Sequence, residues 1–137
     1  MPQSYTAVID GASRGNPGPA AIGVLIYDAD GNLVKKYHKF LGQATNNAAE
    51  YRALLSCLEE VAALGGKQVT IYSDSQLLVR QFNGEYRIKN KALKKLAEKV
   101  RNTIARHGLQ VEMVHVPRSE TKEADRLANI SLNLAGH

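Results

Sequence analysis

Three β-strand patterns with no helical pattern between them occupy the first part of the chain, and this order restricts the fold more than any other feature. The runs at 5–9, 20–28 and 33–41 are rich in β-branched or aromatic residues and are bounded by turn formers. The dipeptide Asp30-Gly31, between the last two runs, is a typical hairpin sequence. Strands joined by short turns pair antiparallel, so the sheet is expected to begin as an antiparallel set.

The remainder of the chain alternates between helical and strand patterns. Apolar residues at helical spacing predict a helix at 46–64, and the run VTIYS predicts a buried strand at 69–73. The further predictions are a short helix at 75–82, a longer helix capped by Asn90, a strand at 109–116 and a helix at 122–134. The order βββαβααβα therefore predicts an α/β fold in which helices pack on a mixed sheet.

The composition is that of a soluble globular protein. With 137 residues, 44% of them apolar and 23% charged, the chain is expected to form a single domain over 1–137. No run approaches the length of about 20 apolar residues that crosses a bilayer. The first ten residues, MPQSYTAVID, show no signal-peptide pattern. The lone Cys57 lies in an apolar helical pattern and is expected to be buried, which fits a cytoplasmic protein.

Positive charge is concentrated in one segment of the chain. The formal net charge is +5, yet the segment 87–106 holds eight Lys or Arg residues and one acid, a net charge of +7. All other residues together therefore carry −2. Such a segment is typical of a surface that binds a polyanion, but a solvated helix face has the same composition. The charge pattern alone leaves both interpretations open.

The stretch IDGASRGNPGPAAIG at 9–23 is rich in glycine and proline, as phosphate-binding loops are. It lacks the Gly-Lys pair of a Walker loop and the spacing of a dinucleotide fingerprint, and a strand pattern follows it where both motifs need a helix. We interpret it as a strand that ends at Asp10, followed by a wide hairpin turn. On this interpretation the turn presents the Asp10 carboxylate to a ligand.

Four acidic residues lie at the predicted boundaries of helices and strands. They are Asp10, Glu50 in TNNAAEY, Asp74 in YSDSQ and Asp125 in KEADRLAN. Asp10 and Asp74 follow directly on buried strand patterns, where an unpaired carboxylate would be costly. Each acid by itself could be a cap or a turn residue, but together they favour a shared hard divalent cation.

These motifs resemble those of the type 1 ribonuclease H family. DGASRGNPGPAAIG, TNNAAEYRAL, IYSDSQLLV and KEADRLAN match the family's motifs in order, from about residue 5 to about residue 130. The resemblance implies a five-stranded mixed sheet flanked by helices. It also implies an endoribonuclease that cuts the RNA strand of RNA/DNA hybrids by in-line hydrolysis, leaving 5′-phosphate and 3′-hydroxyl ends. The implied cofactor is two Mg²⁺ ions, replaceable by Mn²⁺, held by Asp10, Glu50, Asp74 and Asp125.

The resemblance also implies a set of residues that bind the hybrid in its minor groove, where the 2′-hydroxyl distinguishes RNA from DNA. They are Ser13, Gly15, Asn16, Asn46, Asn47 and Gln76, with Thr45 as a phosphate contact. Without the family, the same residues are interpreted as turn formers and helix caps, and the two interpretations are compatible.

The chain departs from the family pattern at two places. The loop PRSETKEAD has no histidine where many members carry one, and Arg118 takes the nearest position. Because arginine stays protonated, Arg118 is expected to act by its charge and not as a base. The chain also has no tryptophan and no basic protrusion between its two middle helices, so the segment 87–106 is expected to contact phosphates in its place.

We expect no separate hybrid-binding module before residue 5, and therefore modest affinity. The protein is also expected to be a monomer. Two other functions remain open at this point: a DNA-directed nuclease or strand-transfer enzyme, and a catalytically inactive module that only binds hybrids. Double-stranded RNA is a further possible substrate.

Overall fold

Ten elements of secondary structure run through residues 3–137, the part of the chain that the computed structural model describes. The strands are β1 (Ser4–Ser13), β2 (Gly18–Tyr27), β3 (Leu33–Ala44), β4 (Gln68–Ser73) and β5 (Gln110–His115). The helices are α1 (Asn46–Ala63), α2 (Gln76–Phe82), α3 (Lys91–His107) and α4 (Lys122–Leu134), with a 3₁₀ turn at Arg118–Glu120. This order confirms the predicted βββαβααβα. Residues 1–2 lie outside the described residues. They are part of the predicted domain 1–137 and of the first ten residues, which show no signal-peptide pattern.

The five strands form one mixed sheet in the order β3-β2-β1-β4-β5. β1, β2 and β3 pair antiparallel, as expected from their short connections. β4 pairs parallel to β1, and β5 pairs parallel to β4. β1 therefore lies at the centre of the sheet, between an antiparallel and a parallel neighbour.

Helices cover both faces of the sheet around β2. Ile22 and Val24 of β2 belong to the main core, together with Leu54 of α1. Leu25, the residue after Val24, faces the other side of the sheet and packs against Leu127 of α4. β2 is therefore buried on both sides, as a central strand between two helical layers is expected to be.

Side-chain caps begin two of the long helices. The Thr45 hydroxyl accepts the N–H of Ala48 at the start of α1, at 3.1 Å. The Asn90 side chain accepts the N–H of Leu93 at the start of α3, at 3.0 Å, which confirms the predicted cap. Each bond satisfies one of the donors that a helix start leaves unpaired.

The prediction that the first strand ends at Asp10 is wrong. β1 continues to Ser13, and pairing with β2 persists from Asp10 opposite Gly23 to Ser13 opposite Ala20. The glycine, alanine and serine after Asp10 have weak strand propensity, so the local sequence indicated a turn. Pairing with the neighbouring strand overrides that preference. The Asp10 carboxylate is thus held within a paired strand, and the turn comprises only residues 14–17.

Cys57 is fully buried in α1, as predicted. Burial raises the pKa of its thiol to about 12, so the thiolate needed for nucleophilic chemistry does not form near neutral pH. Within residues 3–137, no helix combines the length and apolar character needed to cross a membrane.

Candidate active site

Three of the four predicted acids converge on one point of the sheet. Each of Asp10, Glu50 and Asp74 offers one carboxylate oxygen, and these oxygens lie within 4.8 Å of one another. The pairing of Val8 with Tyr72 in the parallel strands brings Asp10 of β1 level with Asp74, the residue directly after β4. The parallel register therefore joins two acids that are far apart in the sequence.

Glu50 reaches this point because α1 lies very close to β1. A side chain at Gly11 would overlap with the backbone of Ala49 and Glu50, so only glycine allows the approach. The Gly11 N–H donates a hydrogen bond of 2.7 Å to Oε1 of Glu50. This bond holds one oxygen of the carboxylate beside Asp10.

Asp125, the fourth predicted acid, joins the cluster from α4 on the other face of the sheet. Its carboxyl group lies near enough to that of Asp10 to contribute to the raised pKa of Asp10. Gly23, the partner of Asp10 in the β1–β2 pair, allows this approach, because a side chain there would overlap with the carbonyl of Ala124. The four acids thus come from β1, the residue after β4, α1 and α4, and Asp125 lies beside the close cluster of Asp10, Glu50 and Asp74.

The site concentrates negative charge where little water reaches it. Asp10 is 4% exposed and Glu50 is 9% exposed. Burial, reinforced by the charges of Glu50 and Asp74, raises the pKa of Asp10 to about 9. Burial also raises the pKa of Glu50 to about 8, although the Gly11 hydrogen bond opposes the change. Such a set of carboxylates ionises together only when a cation balances the charge.

Arg118 supplies one positive charge at the edge of the cluster. Its Nε lies 3.4 Å from Oδ2 of Asp74, while the rest of the side chain is 80% exposed. The neighbouring carboxylates of Asp74, Asp125 and Asp10 raise the pKa of the guanidinium above its ordinary value. The sequence-based prediction that Arg118 belongs near the site thus agrees with its position, and its charge stays in place across the physiological pH range.

Thr121 also contacts the cluster, and the sequence analysis missed it. Its Oγ1 donates to Oδ2 of Asp74 at 3.1 Å, and the residue is fully buried. A threonine directly before a helix is interpreted as an N-cap, so the local sequence concealed this contact. Only the fold brings Thr121 beside a residue that precedes it by 47 positions.

Several of the predicted substrate-binding residues form one polar network beside the carboxylates. Oδ1 of Asn46 accepts the N–H of Ser13 at 3.0 Å, and Oδ1 of Asn16 accepts the N–H of Asn46 at 3.1 Å. The Ser13 hydroxyl contacts the carbonyl of Ala44 at 2.8 Å. The network ties the β1–β2 turn to the start of α1, where Thr45 is the cap.

The other predicted substrate-binding residues are exposed around the same site. Asn47 lies in the first turn of α1, and Gln76 begins α2 two residues after Asp74. Gly15, in the β1–β2 turn, has a φ of 143°, a conformation that favours glycine. All three residues are exposed, and Asn47 and Gln76 are close in sequence to Glu50 and Asp74.

The basic segment forms an exposed surface, as predicted. All eight of its Lys and Arg residues are exposed: 87, 89, 91, 94, 95, 99, 101 and 106. On α3 the apolar stripe that includes Leu93 and Val100 is buried, and the charged positions lie off it. This surface, residues 87–106, is called the basic surface below.

The sheet order and the four helices define a ribonuclease H-like fold with a carboxylate site at its centre. The chain matches the family model described as reverse transcriptase-like over residues 8–131. It is 36% identical to LC11-RNase H1, whose crystal structure was determined in complex with an RNA/DNA hybrid. That match covers 97% of this chain and 99% of the other, with a TM-score of 0.92. The chain belongs to the type 1 ribonuclease H family.

Two curated relatives are longer than this chain. Ribonuclease HI of Halobacterium salinarum is 39% identical over 127 residues, which are 93% of this chain and 63% of that protein. The bifunctional protein Rv2228c of Mycobacterium tuberculosis is 39% identical over 127 residues, which are 92% of this chain and 35% of that protein. The chain therefore spans less than two thirds of either relative.

Proposed function

We propose that this domain is an endonuclease that hydrolyses the RNA strand of RNA/DNA hybrids. The convergence of Asp10, Glu50 and Asp74, with ligand oxygens within 4.8 Å, carries the proposal. The likeness to LC11-RNase H1, a protein crystallised with such a hybrid, supports the substrate. The exposed side chains of Asn47 and Gln76 support recognition of the polar minor groove of the hybrid.

The donor set suits two divalent cations of the hard type, Mg²⁺ or Mn²⁺. All four side chains offer carboxylate oxygens, the ligands that these ions prefer. The raised pKa values of Asp10 and Glu50 mean that the two groups keep their protons near neutral pH without a cation, and a bound cation would favour their charged forms. Asp10, Glu50, Asp74 and Asp125 would hold the ions. Two such ions would supply an activated water and charge stabilisation for the leaving oxygen of an in-line displacement, which would yield a 5′-phosphate and a 3′-hydroxyl.

Residues around the carboxylates orient the metal ligands and contribute positive charge for the substrate. The Gly11 N–H holds the Glu50 carboxylate in one orientation. Arg118 acts on the negative charge of the phosphate, because a guanidinium that never loses its proton cannot act as a base. Its exposed side chain leaves it free to reach a phosphate at the mouth of the site.

Recognition of the hybrid is divided between two surfaces. Asn47, Gln76 and the backbone near Gly15 border the carboxylates, where they can contact the 2′-hydroxyls and base edges of the minor groove. Thr45, the cap of α1, would contact a backbone phosphate of the hybrid through its hydroxyl proton. The basic surface then binds backbone phosphates further along the duplex without sequence preference.

A cleavage assay on one sequence prepared as RNA/DNA, RNA/RNA, DNA/DNA and single-stranded RNA tests the proposal. Each labelled substrate is incubated with Mg²⁺, with Mn²⁺ or with a chelator, beside an Asp10→Asn variant. We expect metal-dependent cutting of the RNA strand of the hybrid, with 5′-phosphate products, and its loss in the variant. Cutting of DNA/DNA would favour a DNA-directed nuclease. Hybrid binding without any cutting would contradict the enzymatic role and favour an inactive binding module.

A further inference from the structure

Thr121 stands at the N-cap of α4 but does not cap the helix. In that position a threonine hydroxyl usually accepts a backbone N–H of the first turn. Here the side chain makes no capping hydrogen bond, and the residue is fully buried. Its hydroxyl instead contacts Oδ2 of Asp74 at 3.1 Å. The Thr121 hydroxyl therefore bonds to the Asp74 carboxylate and not to the helix backbone. This indicates that the hydroxyl has a role at Asp74.

The Thr121 hydroxyl has two acceptors within reach, and Asp74 is the one to which it donates. Oγ1 of Thr121 also lies 3.2 Å from the carbonyl of Arg118. That carbonyl already accepts the N–H of Thr121 at 3.0 Å. A carboxylate is the stronger acceptor of the two, so the hydroxyl donates to Asp74.

The backbone of Thr121 also contacts the fourth acid of the site. The carbonyl of Thr121 accepts the N–H of Asp125 at 3.0 Å, the first hydrogen bond of α4. One buried residue thus contacts the side chain of Asp74 and the backbone N–H of Asp125. Thr121 therefore links the end of β4 to the first turn of α4, the helix that carries Asp125.

We propose that Thr121 is a positioning residue, which orients the Asp74 carboxylate for metal binding. The inference rests on the metal site of the proposed function. Arg118 also contacts Oδ2 of Asp74, but its side chain is 80% exposed and free to move. Thr121 has no such freedom, and hydrogen-bond partners of ligating carboxylates tune the affinity of a metal site.

Metal binding without substrate tests the role of Thr121. Mn²⁺ is titrated calorimetrically into wild-type protein and into the Thr121→Val and Thr121→Ser variants. Valine keeps the shape of threonine without the hydroxyl, and serine keeps the hydroxyl. We expect Thr121→Val to bind Mn²⁺ about tenfold more weakly, whereas Thr121→Ser stays within about twofold of the wild type. In the cleavage assay the valine variant should need more metal but recover most of kcat at saturating metal.

The effect of the Thr121 hydroxyl can still be measured if the valine variant does not fold. Thr121→Ala and Thr121→Ser then form a second pair that differs only in the hydroxyl, and thermal melting shows whether each is folded. Equal Mn²⁺ affinity in the variants with and without the hydroxyl would overturn the inference. Wild-type protein that binds Mn²⁺ but cuts no hybrid would overturn the proposed function alone, because the role of Thr121 is measured by metal binding. Wild-type protein that binds no Mn²⁺ would overturn both.

Discussion

Asp10 of β1 lies opposite Gly23 of β2, and the carbonyl of Ala124 occupies the space where a side chain at Gly23 would stand. The absence of a side chain at this one position lets α4 lie directly against the sheet beside Asp10. Asp125 is the residue after Ala124, so the same contact determines how close the fourth carboxylate comes to the first. A small residue in the sheet thereby controls the geometry of the acids.

Replacing Gly23 by alanine should therefore damage both stability and function. The added methyl group has to displace α4, and overpacking of this kind costs about 1–3 kcal/mol in the free energy of unfolding. Urea denaturation measures that loss, and metal titration measures the weaker site. Gly31→Asn is the control, because nothing lies within 4 Å of that position and asparagine tolerates its positive φ. A Gly23→Ala variant as stable and active as the wild type would contradict this account.

The metal-free protein should lose stability as the pH rises. The pKa values of Asp10 and Glu50 in the folded state, about 9 and about 8, lie above the value of about 4 for unfolded carboxyls. Between these limits the folded state binds more protons than the unfolded state, so the stabilisation is full below about pH 4 and is lost as the pH rises toward 9. Urea denaturation in chelator at pH 5, 7 and 9 measures this slope, and saturating Mg²⁺ should reduce it.

The Asp10→Asn variant isolates the contribution of one carboxyl group to the dependence of stability on pH. It should be more stable than the wild type by at least about 1 kcal/mol at pH 8 without metal, since asparagine does not have to take up a proton when the protein folds. Asp30→Asn, which changes an exposed acid in the β2–β3 turn, should leave the slope unaltered. The account fails if Asp10→Asn and the wild type show the same dependence of stability on pH.

Arg118→Gln should lower kcat for hybrid cleavage by about tenfold or more while changing KM little, because a charge placed at the reacting phosphate is lost. The same variant should bind Mn²⁺ slightly more tightly, since a positive charge beside Asp74 is removed. Steady-state kinetics over a range of metal concentrations measures both effects. Arg118→Lys keeps the charge and should retain more activity, and equal rates for Arg118→Gln and the wild type would remove Arg118 from the mechanism.

Neutralising part of the basic surface should weaken hybrid binding in a salt-dependent way. Lys95→Gln with Lys99→Gln removes two charges from neighbouring turns of α3. The slope of log affinity against log salt concentration should fall by about one to two. The matched control changes Lys36 and Lys39, two exposed lysines of β3. An equal change in slope for both pairs would show that net charge, and not this surface, governs binding.

Local patterns predicted most of the architecture because each element carries its own signals. The hairpin at Asp30-Gly31 and the cap at Asn90 depend on neighbouring residues alone, and both occur where predicted. The end of β1 was misplaced because residues after Asp10 are extended by pairing with β2, which lies outside the local sequence. Strand pairing is a property of two segments, so one segment cannot reveal where it stops.

The sequence by itself determined the order of helices and strands, the family motifs and the identity of the four acids, because these depend on residue type and spacing. Only the tertiary structure decided that Thr121 leaves its helix uncapped to contact Asp74, and that Arg118 lies at the same carboxylate. It also decided which glycines allow α1 and α4 to approach the sheet. These relationships join residues that are tens of positions apart, and the packing of separate elements on a shared sheet is what places them in contact.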